Sequence, residues 1–452
     1  MKRLHADHAL LPGGFAAGVL LEWDAGGTLR SVVTDVPCPT DVERATGLLV
    51  PGLPNLHSHA FQRAFAGLTE YRGAAQDSFW TWRDLMYRFA AQLDPDTLED
   101  IATHLYVEML QAGYTAVCEF HYVHHDAQGR PHANAAEMSL RLAAAARRAG
   151  IGLTMLPVLY QHSGFGAKPP RADQRRFINS VEGLLRIVEA LRAQGVRSGV
   201  APHSLRAVAP PALADLLTGL DSIDPTAPIH IHVAEQVQEV DNCLAWSGQR
   251  PVQWLLDHAP VDRRWCLVHA THLDDAERAG AAASGAVIGL CPSTEANLGD
   301  GVFDAVAWRG AWGIGSDSHA SVDAAEELRL LEYTQRLAQR QRNVLADARH
   351  PGVAEAMWLA AVAGGAQASG RALAGLAVGQ QADFVLLADE TLDGLTPSQQ
   401  LATHVFASHR RATLREVWVA GIRRVQNGRH ADAEAAATRF VAARRRLMAG
   451  LQ

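Results

Sequence analysis

Eight short apolar runs, each followed by a stretch long enough for a helix, restrict what this chain can fold into more than any other feature. The runs cover residues 48–56, 115–120, 151–159, 198–202, 228–233, 265–269, 286–291 and 312–315. Segments such as 97–112, 135–149, 180–195, 252–258 and 325–338 lie between them and are rich in Ala, Leu, Glu and Arg, which favour helix. Strands alternating with helices predict parallel strands joined by crossovers, and eight such units predict a (β/α)8 barrel of the TIM type over residues 49–370. A doubly wound open sheet is the competing α/β architecture. It is expected to carry a glycine-rich phosphate fingerprint after an early strand, and the sequence has none.

Both ends of the chain carry a different pattern. Residues 18–23 and 29–33 flank Asp24-Ala-Gly-Gly and predict a hairpin. Residues 379–388 and 417–428 again alternate as strands, with Ala420-Gly421 at a hairpin-type turn. The segments 1–48 and 371–430 are therefore expected to form one small flanking β-sandwich domain, and 431–452 a C-terminal helix whose Arg444-Arg-Arg run is a solvated face. A length of 452 residues accommodates a large domain and a small one.

In a parallel barrel the functional groups stand at the C-terminal ends of the strands. The first run ends in His57-Ser-His59, and residues two apart on a strand share a face. The fifth gives His230-Ile-His232-Val-Ala-Glu235, the sixth His269-Ala-Thr-His272, and the eighth Asp317-Ser-His319. Imidazoles and a carboxylate gathered in this way suit a divalent transition metal with one position left for water. His230 lies one layer deeper and reads as interior packing or support, while His272 and His319 are open between a structural and a supporting role.

Charge and cysteine usage narrow the partners. A net charge of −7 argues against a general nucleic-acid binder. Five scattered cysteines, without a Cys-x-x-Cys pair, read as reduced thiols of a cytoplasmic protein. The first residues have two basic side chains but no apolar stretch behind them, so no signal peptide is expected, and no run is long enough to cross a membrane.

These strand ends, with Gly379-Gln-Gln-Ala-Asp383-Phe-Val in the second flanking segment, resemble the amidohydrolase superfamily over nearly the whole chain. The resemblance implies that His57, His59, His232 and Asp317 hold a metal and that Glu235 and His269 act as the acid/base pair, with Asp317 taking part in catalysis. Two-metal members bridge their ions with a carboxylated lysine or a glutamate at the fourth strand end. Here that end reads Val200-Ala-Pro-His203-Ser-Leu-Arg206, and the only lysines, Lys2 and Lys168, lie elsewhere. One ion, zinc, is expected, in a homodimer.

Substrate choice belongs to the loops. Arg83 and Arg206 come from separate loops and suit a substrate with carboxylates, which guanidinium binds bidentately. Taken alone, Arg83 reads as a helix-surface residue beside Asp84, and Trp80 and Trp82 as packing. The loops are similar to those of deiminating members of the superfamily. That similarity implies contacts to a small dicarboxylate substrate from Gln62, Arg83, Tyr122, His203 and Arg206, with the two arginines on its carboxylates. The reaction implied is attack of a metal-activated hydroxide on a formimidoyl carbon, with release of ammonia. Two other readings stand beside it: an enzyme acting on an aminated or chlorinated purine, pyrimidine or triazine ring, and a metal-free scaffold without catalysis.

Overall fold

The computed structural model describes residues 1–71, 79–407 and 413–450, with the side chains of residues 79–81 left aside, so the packing expectation for Trp80 lies outside the described residues. The chain opens with β1 (Lys2–Leu11), β2 (Gly14–Trp23), β3 (Leu29–Val33) and β4 (Glu43–Pro51). The expected hairpin is present, with β2 and β3 pairing antiparallel, and β1 adds a strand that sequence reading did not define.

All eight apolar runs contain strands: β5 (Leu53–Ser58), β6 (Tyr114–His121), β7 (Gly152–Leu159), β8 (Ala201–Pro202), β9 (Ile229–Val233), β10 (Trp265–His269), β11 (Val287–Leu290) and β12 (Trp312–Ile314). They form two parallel four-stranded sheets, β5-β6-β7-β8 and β9-β10-β11-β12. Bridges between Val200 and Ile229 and between Ser204 and His232 join the sheets on one side, and a bridge between Ser58 and Asp317 joins them on the other. The parallel sheet thus curls until its first and last strands meet.

The first run is shared between two sheets. Its leading residues, Leu48–Pro51, are the end of β4, and the first strand of the parallel sheet begins only at Leu53. The break is at Gly52, whose N–H donates to Asp383 O at 3.0 Å. A Cβ at that position would lie 2.2 Å from the Thr115 side chain, so the approach requires glycine.

The later flanking strands are β13 (Phe384–Leu387), β14 (Leu414–Val419), β15 (Ile422–Gln426) and β16 (Arg429–His430). They join the first four in one mixed sheet of order β16-β15-β14-β13-β4-β1-β2-β3. Alternation decides what each face buries. Leu48, Val50, Val385 and Leu387 pack into the core shared with the parallel strands, whereas Leu49, Phe384 and Leu386 pack into a separate core with Leu21 and Trp23. Three strand spacings, roughly 14 Å in a flat sheet, separate β2 from β13. Yet the Trp23 ring lies 5.9 Å from Phe384 and 6.0 Å from Trp418, so this sheet folds over on itself around those rings.

Helices cover the outside of the parallel strands. Pro95–Gln111 begins where the Asp94 side chain accepts from Thr97 N, with proline at the first position, and stops before Gly113 at a φ of 93°. It buries Leu98, Ile101, Leu105 and Met109, each contributing about 1.5–3 kcal/mol relative to exposure. The C-terminal helix Ala433–Ala449 turns Phe440, Ala443 and Leu447 inward; Arg445 and Arg446 are exposed, Arg444 stacks on Phe440, and Arg439 pairs with Asp100. Pro210–Ile223, Val237–Ser247, Asp275–Ser284 and Val353–Ser369 are helices that the sequence reading did not single out. Among the described residues no helix is long and apolar enough to cross a membrane.

Candidate active site

Four strand ends bring His57, His59, His232, His269 and Asp317 together. The Nε2 atoms of His57 and His59 are 3.1 Å apart, and those of His57 and His232 are 3.0 Å apart. Asp317 Oδ1 lies 3.5 Å from His57 Nε2 and 3.3 Å from His59 Nε2. All four side chains are buried. The local backbone is strained: Ala234, His269, Ala270, Asp317 and His319 have φ between 45° and 66° without being glycine. Each such conformation costs on the order of 1–3 kcal/mol, so the surrounding packing must impose it.

The ring orientations show what the cluster can hold. His59 Nδ1 meets Phe120 O at 2.8 Å and His232 Nδ1 meets His203 O at 3.1 Å. A carbonyl accepts only, so each Nδ1 carries the hydrogen and each neutral ring presents a bare Nε2. Among the described residues His57 Nδ1 is buried without a partner, and its ring is held among Phe120, His59 and His232. Burial first, then the neighbouring imidazoles, holds His57 and His232 well below the usual histidine range, and burial also lowers His59. Lone pairs facing one another at 3 Å repel unless a cation lies between them. Nitrogen donors about 2.0–2.1 Å from a tetrahedral zinc lie about 3.4 Å apart, close to these spacings. The donor set fits a divalent ion.

His269 stands beside this cluster in a different charge environment. Its Nε2 is 3.8 Å from Glu235 Oε1 and 3.7 Å from Asp317 Oδ2, and its Nδ1 is 3.2 Å from Glu295 Oε1. Burial works against its charge, but Glu235, Glu295 and Asp317 outweigh burial and hold the imidazole up at about 10. Burial pushes the Glu235 carboxyl above its usual range, with His269 and Arg206 opposing.

The cluster opens into a cleft lined by Gln62, Arg83, Tyr122, His203, Arg206 and Glu235, together with Trp82, Tyr87 and Tyr160. Arg83 therefore faces the cleft from the helix Phe79–Gln92, contrary to the helix-surface reading. Gln62 Nε2 donates to Tyr122 OH at 2.9 Å, while Gln62 Oε1 is buried without a partner among the described residues. Arg206 Nε is likewise unpartnered. Burial, then the Arg206 charge, keeps His203 neutral.

The other histidines separate clearly. His230 Nε2 meets Ala368 O at 2.8 Å in the interior, and His272 Nε2 meets Asp300 O at 2.8 Å. His319 supports the site, with contacts to Ser58 Oγ at 3.2 Å and Ser316 Oγ at 3.0 Å.

Sequence reading missed the groups that brace these residues. Glu119 accepts from Ser58 Oγ and Ala60 N, both at 2.7 Å, and from Tyr106 OH at 3.1 Å, pinning the segment around His59. Asn55 Oδ1 accepts from His57 N and Ser316 N, tying β5 to the segment just after β12. Glu295 also accepts from Cys291 N at 2.8 Å, which fixes its position beside His269.

The chain is similar to known proteins over nearly its whole length. The profile of the amidohydrolase family matches residues 48–423. A formimidoylglutamate deiminase of Pseudomonas aeruginosa is 52% identical over 451 residues, covering 98% of each chain. A crystal structure of an amidohydrolase from Brucella melitensis superposes with a TM-score of 0.94 at 48% identity, covering 99% of this chain and 100% of that one. An adenosine deaminase from Xanthomonas campestris, solved with bound zinc, shares the fold at 22% identity with a TM-score of 0.79, over 99% of this chain and 98% of its own.

Proposed function

The chain belongs to the amidohydrolase family, and on that premise we propose that it hydrolyses N-formimidoyl-L-glutamate to N-formyl-L-glutamate and ammonia. The observation that carries this reading is the full-length likeness to the Pseudomonas deiminase. The cleft supports it, because two arginines and a buried, unsatisfied amide oxygen face the same space as the histidine cluster.

In this reading His57, His59, His232 and Asp317 hold one divalent ion, with zinc suited to the donor set. The ion supplies Lewis-acid activation of a water molecule for attack on the formimidoyl carbon. Asp317, through Oδ2 on the His269 side, accepts the proton lost by that water. His269, kept cationic among carboxylates, donates to the oxygen as negative charge builds on it. Glu235, whose carboxyl burial favours in the protonated form, delivers one proton to the imine nitrogen as the C–O bond forms. The proton held by Asp317 then passes to the same nitrogen, and the C–N bond breaks to release ammonia while the hydroxyl proton of the tetrahedral intermediate returns to Glu235. Gln62 Oε1 accepts an N–H of the formimidoyl group, with Tyr122 holding its amide, and neutral His203 closes the same wall. Arg83 and Arg206 bind the two carboxylates.

The fold reading goes with the function. Residues 49–370 form the catalytic (β/α)8 barrel, 1–48 with 371–430 the flanking sandwich-like sheet, and 431–452 the terminal helix. Four of the five free cysteines are buried, which suits a cytoplasmic enzyme, and we assign it as a homodimer.

The test is an ammonia-release assay on N-formimidoyl-L-glutamate, with products identified by mass spectrometry and a chelator-treated control. The reading requires equimolar ammonia and N-formylglutamate, lost with the metal. Formamide and glutamate as products, or no turnover by metal-loaded protein, would refute it.

A further inference from the structure

We propose that Tyr87 and Tyr160 are additional substrate-binding residues whose phenolic hydrogens are available to a substrate carboxylate, and that Gln174 is the positioning residue that sets this direction. The inference rests on reading the cleft as a dicarboxylate site. Gln174 is 1% exposed and ends the short turn Ala172–Gln174. Its Oε1 accepts from Arg171 N at 2.8 Å. A backbone N–H can only donate, so the amide has one orientation, with Nε2 on the opposite side. That nitrogen lies 3.1 Å from Tyr87 OH and 2.9 Å from Tyr160 OH. Its two hydrogens go to the two phenol oxygens, which are therefore acceptors, and neither phenolic hydrogen can point back at the amide.

The two hydroxyls also meet each other, which uses one phenolic hydrogen at most. Among the described residues no other acceptor meets either hydroxyl, so at least one O–H is left for the cleft that both rings line. That part of the cleft is rich in donors. Arg83 Cζ lies 5.6 Å from the Tyr87 ring centre, and the charges of both Arg83 and Arg206 reach the Tyr160 hydroxyl. Burial, then Tyr87, holds the Tyr160 phenol above its usual value, so it remains a neutral donor. Donors in this number favour a carboxylate, both of whose oxygens accept, over a carboxamide, which offers a single acceptor oxygen. The tyrosines therefore sharpen the preference for an acid over its amide.

The experiment compares metal-loaded wild type with Tyr87→Phe, Tyr160→Phe, the double variant and Gln174→Leu. It reads KM and kcat for ammonia release and, independently, the Kd of glutarate by calorimetry. A lost hydrogen bond to a carboxylate is expected to raise KM and Kd roughly tenfold in the double variant, with the loss in kcat/KM carried by KM. Gln174→Leu is expected to raise KM by a smaller factor and to add nothing when combined with the double variant. Values within twofold of wild type for both phenylalanine variants and their combination would overturn the proposal, as would a wild type that does not bind glutarate. If wild type binds glutarate but releases no ammonia from formimidoylglutamate, the functional reading falls, while weakened glutarate binding in the variants would still uphold the donor assignment.

Discussion

The Nε2 atoms of His57 and His232 face each other across 3.0 Å, although 175 positions separate the two residues in the chain. One sits at the end of β5 and the other near the end of β9, strands of different four-stranded sheets. Only the curling of the parallel strands brings them together. With His232 Nδ1 committed to a carbonyl, that contact is between a ring bearing a bare nitrogen and its neighbour, and a cation relieves it.

Removing that cation should therefore cost stability as well as turnover. Dialysis against a chelator is expected to abolish ammonia release and to lower Tm by several degrees, because binding to the native state alone stabilises it by mass action. One equivalent of zinc should restore both, as read by elemental analysis and calorimetry. His232→Ala should bind less than one equivalent and remain inactive.

Glu235 lies outside the ligand set, so its loss should separate chemistry from metal binding. Glu235→Gln should retain one equivalent of metal while kcat falls about 10²- to 10⁴-fold, the range for a positioned acid or base. Metal content measured beside kcat decides the point. Loss of metal in this variant would move Glu235 into the ligand shell.

Arg206→Met removes a guanidinium whose Nε has no partner among the described residues. KM for formimidoylglutamate should rise roughly 10- to 100-fold, as expected for losing a charged hydrogen bond. An unchanged KM would mean that the carboxylate is held elsewhere.

Much of the site was legible in the sequence, for a definite reason. Strand ends carry function in parallel folds, and His57-x-His59, His232, His269 and Asp317 each sit at such an end. The apolar runs that locate those ends survive even where the strand is only two residues long, as at Ala201–Pro202. The braces were illegible because they act across sequence distance: Ser58 meets Glu119 over 61 positions and Asn55 meets Ser316 over 261. No local pattern marks such partners. The helix Asp275–Ser284 was passed over because alanine fills half of it and no large apolar residue repeats along it. The join at Gly52 was hidden because apolar residues continue through it, although the chain leaves one sheet for another there.

Glu119 provides a test of those braces. Glu119→Leu keeps much of the bulk but removes both carboxylate oxygens, so Ser58, Ala60 and Tyr106 lose their common acceptor. Metal affinity should weaken about 10- to 100-fold, as for other groups that orient ligands from behind. Competition with a chromophoric chelator measures it, and wild-type affinity in this variant would show that His59 keeps its orientation without Glu119.

The most direct measurement is an anomalous-difference map of zinc-loaded crystals, collected on both sides of the zinc absorption edge. The account predicts a single peak per chain, bonded to Nε2 of His57, His59 and His232 and to the carboxylate of Asp317. Two peaks in that pocket, or one peak elsewhere in the fold, would contradict it.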